Sequence, residues 1–134
     1  MPQMIFVNIP VTDVARSRKF FEAVGYKINE QFSDHTAACV VVSETIFFMI
    51  LNHERFQGFA TKPLANPATS TAVMVALSQD DRAAVDRVIA AAVAAGGSEP
   101  KPATDMGFMY NRVFQDPDGN VFEAFWMDPS AVQG

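Results

Sequence analysis

The sequence predicts an α+β fold: two βαβββ modules forming a curved, half-barrel mixed sheet with the helices on the outside. Three observations predict it. First, the order strand, helix, strand, strand, strand is read over residues 4–52 and again over 70–128, with a linker at 53–69. Second, the connections within each run are too short for crossovers, so neighbouring strands are mainly antiparallel. Third, the chain closes on a hairpin whose turn is Asp116-Pro117-Asp118-Gly119. Proline presets φ there and glycine accepts a positive one.

Residues 4–11 read as the first strand, with Pro10 near its end. Thr12-Asp13 is an N-cap pair for a helix over 14–24, which Gly25 stops. Val14, Phe20, Phe21 and Val24 share one face of that helix, leaving Arg16, Arg18, Lys19 and Glu22 mostly outward. Strands follow at 27–32, 36–42 and 45–51, the last two joined through Ser43-Glu44. Residues 52–69 hold two prolines, a glycine and no sustained period, so they read as a long loop, and such loops are often functional. The order then returns. A strand over 70–77 precedes Ser78, which with Asp81 resembles a capping box. The helix over 80–95 stacks Val85, Val88, Ile89, Ala92 and Ala95 on one stripe and ends at Gly96-Gly97. A short strand at 99–104 leads into the closing hairpin, 107–115 and 120–127.

With 134 residues the chain is one domain of ordinary size, and 49% hydrophobic with 19% charged content describes a globular protein. A net charge of −5 without a Lys/Arg cluster argues against nucleic acid as a partner. No apolar run approaches the roughly 20 residues needed to span a bilayer, so no membrane partner is expected. The segment from Met1 to Val7 lacks a charged n-region and a cleavage site. The single cysteine, Cys39, reads as a buried thiol. Together these features lead to an expectation of a cytoplasmic protein.

Glu123 is the first candidate for chemistry. It is the one acid among Val121, Phe122, Ala124, Phe125 and Trp126, where a carboxylate is costly unless it meets water, a cation or a donor. Alternation puts Val121, Phe125 and Met127 on its face and Phe122, Ala124 and Trp126 on the other. On the preceding strand, Tyr110 and Arg112 belong to one set and Met109 and Asn111 to the other. Either set can face inward. Turned inward, Arg112 would pair with Glu123 or grip an anionic ligand; turned outward, it is a surface charge. His35 reads as a loop histidine and His53 as a surface one, with a Glu123–His53–Asn8 grouping as the alternative. There is no phosphate loop, Cys-x-x-Cys or Gly-x-Ser-x-Gly motif.

The chain resembles the vicinal oxygen chelate superfamily of glyoxalases, bleomycin-resistance proteins and extradiol dioxygenases. The likeness is carried by Val11-Thr12-Asp13, the Ser17–Phe21 helix, Gly25-Tyr26, Ala94–Gly97, and Asp116–Gly119 with Phe122-Glu123. The ending from Phe125 to Pro129 is similar to a lactoylglutathione lyase-related subgroup. The resemblance implies a homodimer and a concave small-molecule pocket. It also implies a divalent metal (Zn, Ni, Mn or Fe) held by residues from the first and last strands of each module. Such a metal polarises two substrate oxygens.

Carried over position by position, only Glu123 matches a ligand. The first-strand position falls at Phe6, and the other two fall near Ala72 and near Phe48. A mononuclear site needs about three protein ligands. The expectation is therefore a pocket without the family metal, formed by Phe6, Asn8, Phe48, Tyr110, Arg112 and Glu123. It would bind or sequester a small organic ligand, or act weakly on one with Glu123 as base. The alternatives are a metal-dependent lyase or isomerase of the lactoylglutathione lyase type and a non-catalytic interaction module.

Overall fold

A computed structural model describes residues 2–131. By its internal contacts the chain divides into two compact units, Met1–Asn66 and Pro67–Gly134, with the boundary inside the expected linker.

In the first unit, β1 (Ile5–Val11) leads into α1 (Val14–Val24), followed by β2 (Lys27–Asp34), β3 (Ala37–Val41) and β4 (Ile46–Asn52). Asp13 caps α1 by accepting the Arg16 N–H at 3.1 Å. Gly25 ends the helix at φ +121°, a value that favours glycine. The sheet order is β1-β4-β3-β2. β1 runs parallel to β4, while β4, β3 and β2 are antiparallel neighbours. The Val14, Phe20 and Phe21 side chains are buried on α1, and Phe21 and Tyr26 pack edge-on against Phe48 of β4.

The linker is not bare loop. Its first residues form a short helix, α2 (His53–Phe59), capped by the Asn52 side chain on the Arg55 N–H at 2.8 Å. Seven residues with Gly58 among them are too few to show a helical period, which is why the pattern reads as loop.

The second unit repeats the order: β5 (Met74–Ser78), α3 (Arg82–Ala94), β6 (Thr104–Asp105), β7 (Met109–Gln115) and β8 (Val121–Met127). A 3-10 turn over Pro129–Ala131 follows. The sheet order, β5-β8-β7-β6, matches the first, with β5 parallel to β8. Three expectations shift. The strand placed at 70–77 begins only at Met74. The cap of α3 is Asp81 itself, which accepts the Ala84 N–H at 2.7 Å, and not a Ser78 box. The strand placed at 99–104 shrinks to Thr104–Asp105, with Ser98 bridging Gln115 on its own. Val85, Ile89 and Ala92 are buried on α3, and Phe114 stacks on Phe122 with ring centroids 5.2 Å apart. The α+β class and the two modules are as expected, and hydrogen bonding resolves the strands into two four-stranded mixed sheets.

Candidate functional site

The closing turn fixes everything around Glu123. Asp116 is buried, and its Oδ1 accepts the backbone N–H groups of Asp118 (3.0 Å) and Asn120 (2.8 Å). Its Oδ2 accepts the Asn120 side-chain amide at 2.9 Å. Burial nevertheless raises the Asp116 pKa above the usual carboxylate range. Gly119 sits at φ +98°, and a Cβ there would lie 2.8 Å from the Pro67 carbonyl oxygen. This turn sets the hairpin register, Gln115 opposite Val121 and Val113 opposite Glu123.

Facing residues in an antiparallel pair share a face. Asn111, Val113 and Gln115 therefore lie with Val121, Glu123 and Phe125. The contact proves it: the Asn111 amide donates to Glu123 Oε1 at 3.0 Å. The Glu123 carboxylate is half-buried and oriented by a neutral donor. Asn111 was not singled out from sequence. Counting outward from the Asp116–Gly119 turn by pairs would have found it.

Tyr110 and Arg112 point the other way, toward α3. The Tyr110 hydroxyl donates to Asp86 at 2.6 Å. Arg112 grips Glu99 with two bonds, 2.8 and 2.7 Å, and reaches Asp86 at 2.8 Å. Of the two orientations left open for Arg112, the structure takes the one away from Glu123. It is not an idle surface charge: Glu99 and Asp86 hold its pKa up, while Arg112 holds Glu99 down and the Tyr110 hydroxyl, then Arg112, hold Asp86 down. Beside it, the Arg82 guanidinium lies 5.1 Å from the Tyr110 ring centroid and 5.2 Å from that of Trp126. Arg82 also forms a bidentate pair with Asp105 at 2.8 and 3.0 Å. Tyr110 and Arg112 therefore belong to a clasp between α3 and the sheet and do not join Glu123.

In the first unit, Phe6 stacks on Phe47 at 4.7 Å and shares its face with Asn8, both exposed. Phe48 does not join them. Its Cα partner in β1 is Val7, and its fully buried ring packs on Phe21, so it is core. β4 is apolar on both faces, and an apolar run hides its parity. Ala72 lies outside β5 altogether.

The modules correct both positions. Phe6 stands as far before the cap Asp13 as Met74 stands before the cap Asp81. Glu123 faces Ala76, one pleat beyond Met74; the matching residue one pleat beyond Phe6 is Asn8, and Asn8 faces Met49. The equivalent positions are thus Phe6 and Met49 in the first unit, a phenyl ring and a thioether, and Met74 and Glu123 in the second, a thioether and a carboxylate. Neither pair fits a hard or borderline divalent ion, which calls for carboxylate and imidazole. Among the described residues, no three His, Cys, Asp or Glu side chains gather so as to hold a metal ion. His53 opens α2 on the exposed surface, and His35 is exposed in the β2–β3 turn. Cys39 is buried, which pushes its thiol pKa up. A separate open cleft of about 440 Å³ lies between that turn and α2, lined by His35, Thr36, Asn52, Glu54, Arg55, Gly58 and Phe59. None of the side chains expected at the site lines it.

The family model described as bleomycin resistance protein-like N-terminal matches residues 3–43. A structure of a hypothetical protein from S. aureus is 24% identical, covers 94% of both chains and superposes with a TM-score of 0.78. A glyoxalase/bleomycin resistance protein/dioxygenase family enzyme from Burkholderia phytofirmans PsJN is 21% identical, with a TM-score of 0.76 over 94% of this chain and 99% of that one. A glyoxalase-related enzyme from Fulvimarina pelagi is 17% identical, with a TM-score of 0.77 over 94% and 88%. The fold is the one these glyoxalase and bleomycin resistance structures share. No curated protein matches this sequence. No helix among the described residues is long and apolar enough to cross a membrane.

Proposed function

We propose that this chain belongs to the vicinal oxygen chelate superfamily and binds a small organic molecule on the sheet face of its second unit turned away from α3, without a resident divalent metal. The observation that carries this reading is Met74 beside Glu123 on the second unit's sheet, with Phe6 and Met49 at the equivalent positions of the first. Three of the four side chains suit apolar contact, and the fourth is a single oriented carboxylate. Most small-molecule sites have that balance, a largely apolar surface with a few placed polar groups. Glu123 then serves as hydrogen-bond acceptor to the ligand, or as base toward an acidic proton on it. The protein acts in the cytoplasm as a homodimer. Apolar residues left exposed at the start of both edge strands, Ile5 and Phe6 in β1 and Val73 and Met74 at β5, support pairing with a second copy.

Elemental analysis of protein purified without chelators tests the central point. The expected result is no stoichiometric divalent metal. One tightly held ion per chain, lost in Glu123→Gln, overturns the reading in favour of a metal-dependent lyase or isomerase.

A further inference from the structure

The second unit sorts its charges strictly by face. The charged residues of its strands other than Glu123 are Asp105 and Arg112, and both are engaged with the α3 side, in pairs with Arg82, Asp86 and Glu99. On the opposite face, alternation from β5, β6, β7 and β8 brings only apolar, amide and hydroxyl side chains besides Glu123. Met74, Met109, Phe125 and Met127 are the large ones. Glu123 is thus the one ionisable group these strands place on that face. Its Oε1 takes the Asn111 amide, and no described residue donates to its Oε2.

We infer that this face recognises a small organic cation, a protonated amine carried on an apolar body. The inference rests on the ligand-binding reading above and narrows it to one charge class. A neutral apolar ligand laid over Met74, Phe125 and Met127 would strip water from a carboxylate whose one hydrogen-bond partner among the described residues is neutral, which is unfavourable. An anion would meet like charge at Glu123 and a chain of net charge −5. An ammonium supplies both the charge and the donor that Oε2 lacks, while its apolar body covers the thioethers and the phenyl ring. Asn111 is a positioning residue in this scheme. By holding Oε1 it fixes which oxygen faces the ligand.

Three probes of one shape test this: 4-phenylbutylamine, 4-phenylbutanol and 4-phenylbutyrate, each titrated into the isotope-labelled full chain and followed by amide shifts. The amine is expected to bind at least about 10-fold tighter than the alcohol, with the acid weakest and the shifts centred on β7 and β8. In Glu123→Gln, amine and alcohol are expected to bind alike. If that variant loses the dispersed spectrum of the folded chain, Glu123→Met takes its place, on a face that already carries Met74 and Met127. Alcohol binding with no amine advantage, or an amine advantage that survives removal of the carboxylate, overturns the cation inference and leaves ligand binding standing. Silence from all three probes overturns both.

Discussion

Asp116 shows how much of the site depends on residues that never touch a ligand. Its carboxylate gathers two backbone N–H groups and the Asn120 amide inside a turn that aims β8. Asp116→Ala leaves those donors buried without their acceptor, and a loss of about 2–3 kcal/mol is expected from urea unfolding. Gly119→Ala is expected to cost at least about 1–2 kcal/mol, because φ +98° strains any L side chain and the new methyl meets the Pro67 carbonyl. Titration separates Asp116 from Asp105. Burial raises the Asp116 pKa, so the folded chain holds that proton more tightly than the unfolded one; its charge disfavours folding at neutral pH, and the effect fades as pH falls through the raised value. Asp105 is the reverse case. Bonds from Arg82 lower it from 3.8 to about 2, so its contribution is present above its unfolded value and disappears as pH drops toward 2. Arg82→Ala is therefore expected to flatten the dependence of the urea midpoint on pH between about 4 and 2, an effect that a purely packing role for Arg82 would not produce.

At the scale of elements, legibility followed alternation. In β8 the turn supplies an anchor and Glu123 breaks an apolar run, so the division into Val121-Glu123-Phe125 and Phe122-Ala124-Trp126 was readable before any coordinates. In β4 six consecutive apolar residues, 46–51, carry no phase, and the residue facing the same way as Phe6 came out one place off, at Phe48 in place of Met49. β7 gave its two sets but not their direction, because the partners that decide it, Asp86 and Glu99, sit on other elements. The position placed near Ala72 moves as well: counted back from the cap Asp81 as Phe6 is from Asp13, the equivalent residue is Met74. These assignments separate the core from the opposite face by measurement. Phe48→Ala is expected to cost about 3–5 kcal/mol in stability, as a fully buried ring should. Met49→Ala, half-buried on the other face, is expected to cost clearly less. Equal losses of stability would place both in the core.

For the whole molecule, the duplication matters more than either half. Among the described residues, both sheets end on a strand paired on one side, β1 and β5, and both strands begin with exposed apolar side chains. Such edges are a liability in a monomer unless something covers them. A second copy of the chain is the cover that a duplicated fold provides most simply, because each copy offers both edges and the contact closes by symmetry. Sedimentation at micromolar concentration is expected to give twice the chain mass, and a double variant with lysine at Ile5 and Val73 is expected to sediment as a monomer while keeping its far-ultraviolet spectrum. Charges are placed there because lysine on an edge blocks strand pairing without disturbing the buried face. A wild-type monomer at that concentration removes the dimer, and a lysine variant that still pairs moves the contact to some other surface. Neither result touches the orientation of Glu123, which the hairpin fixes within one unit.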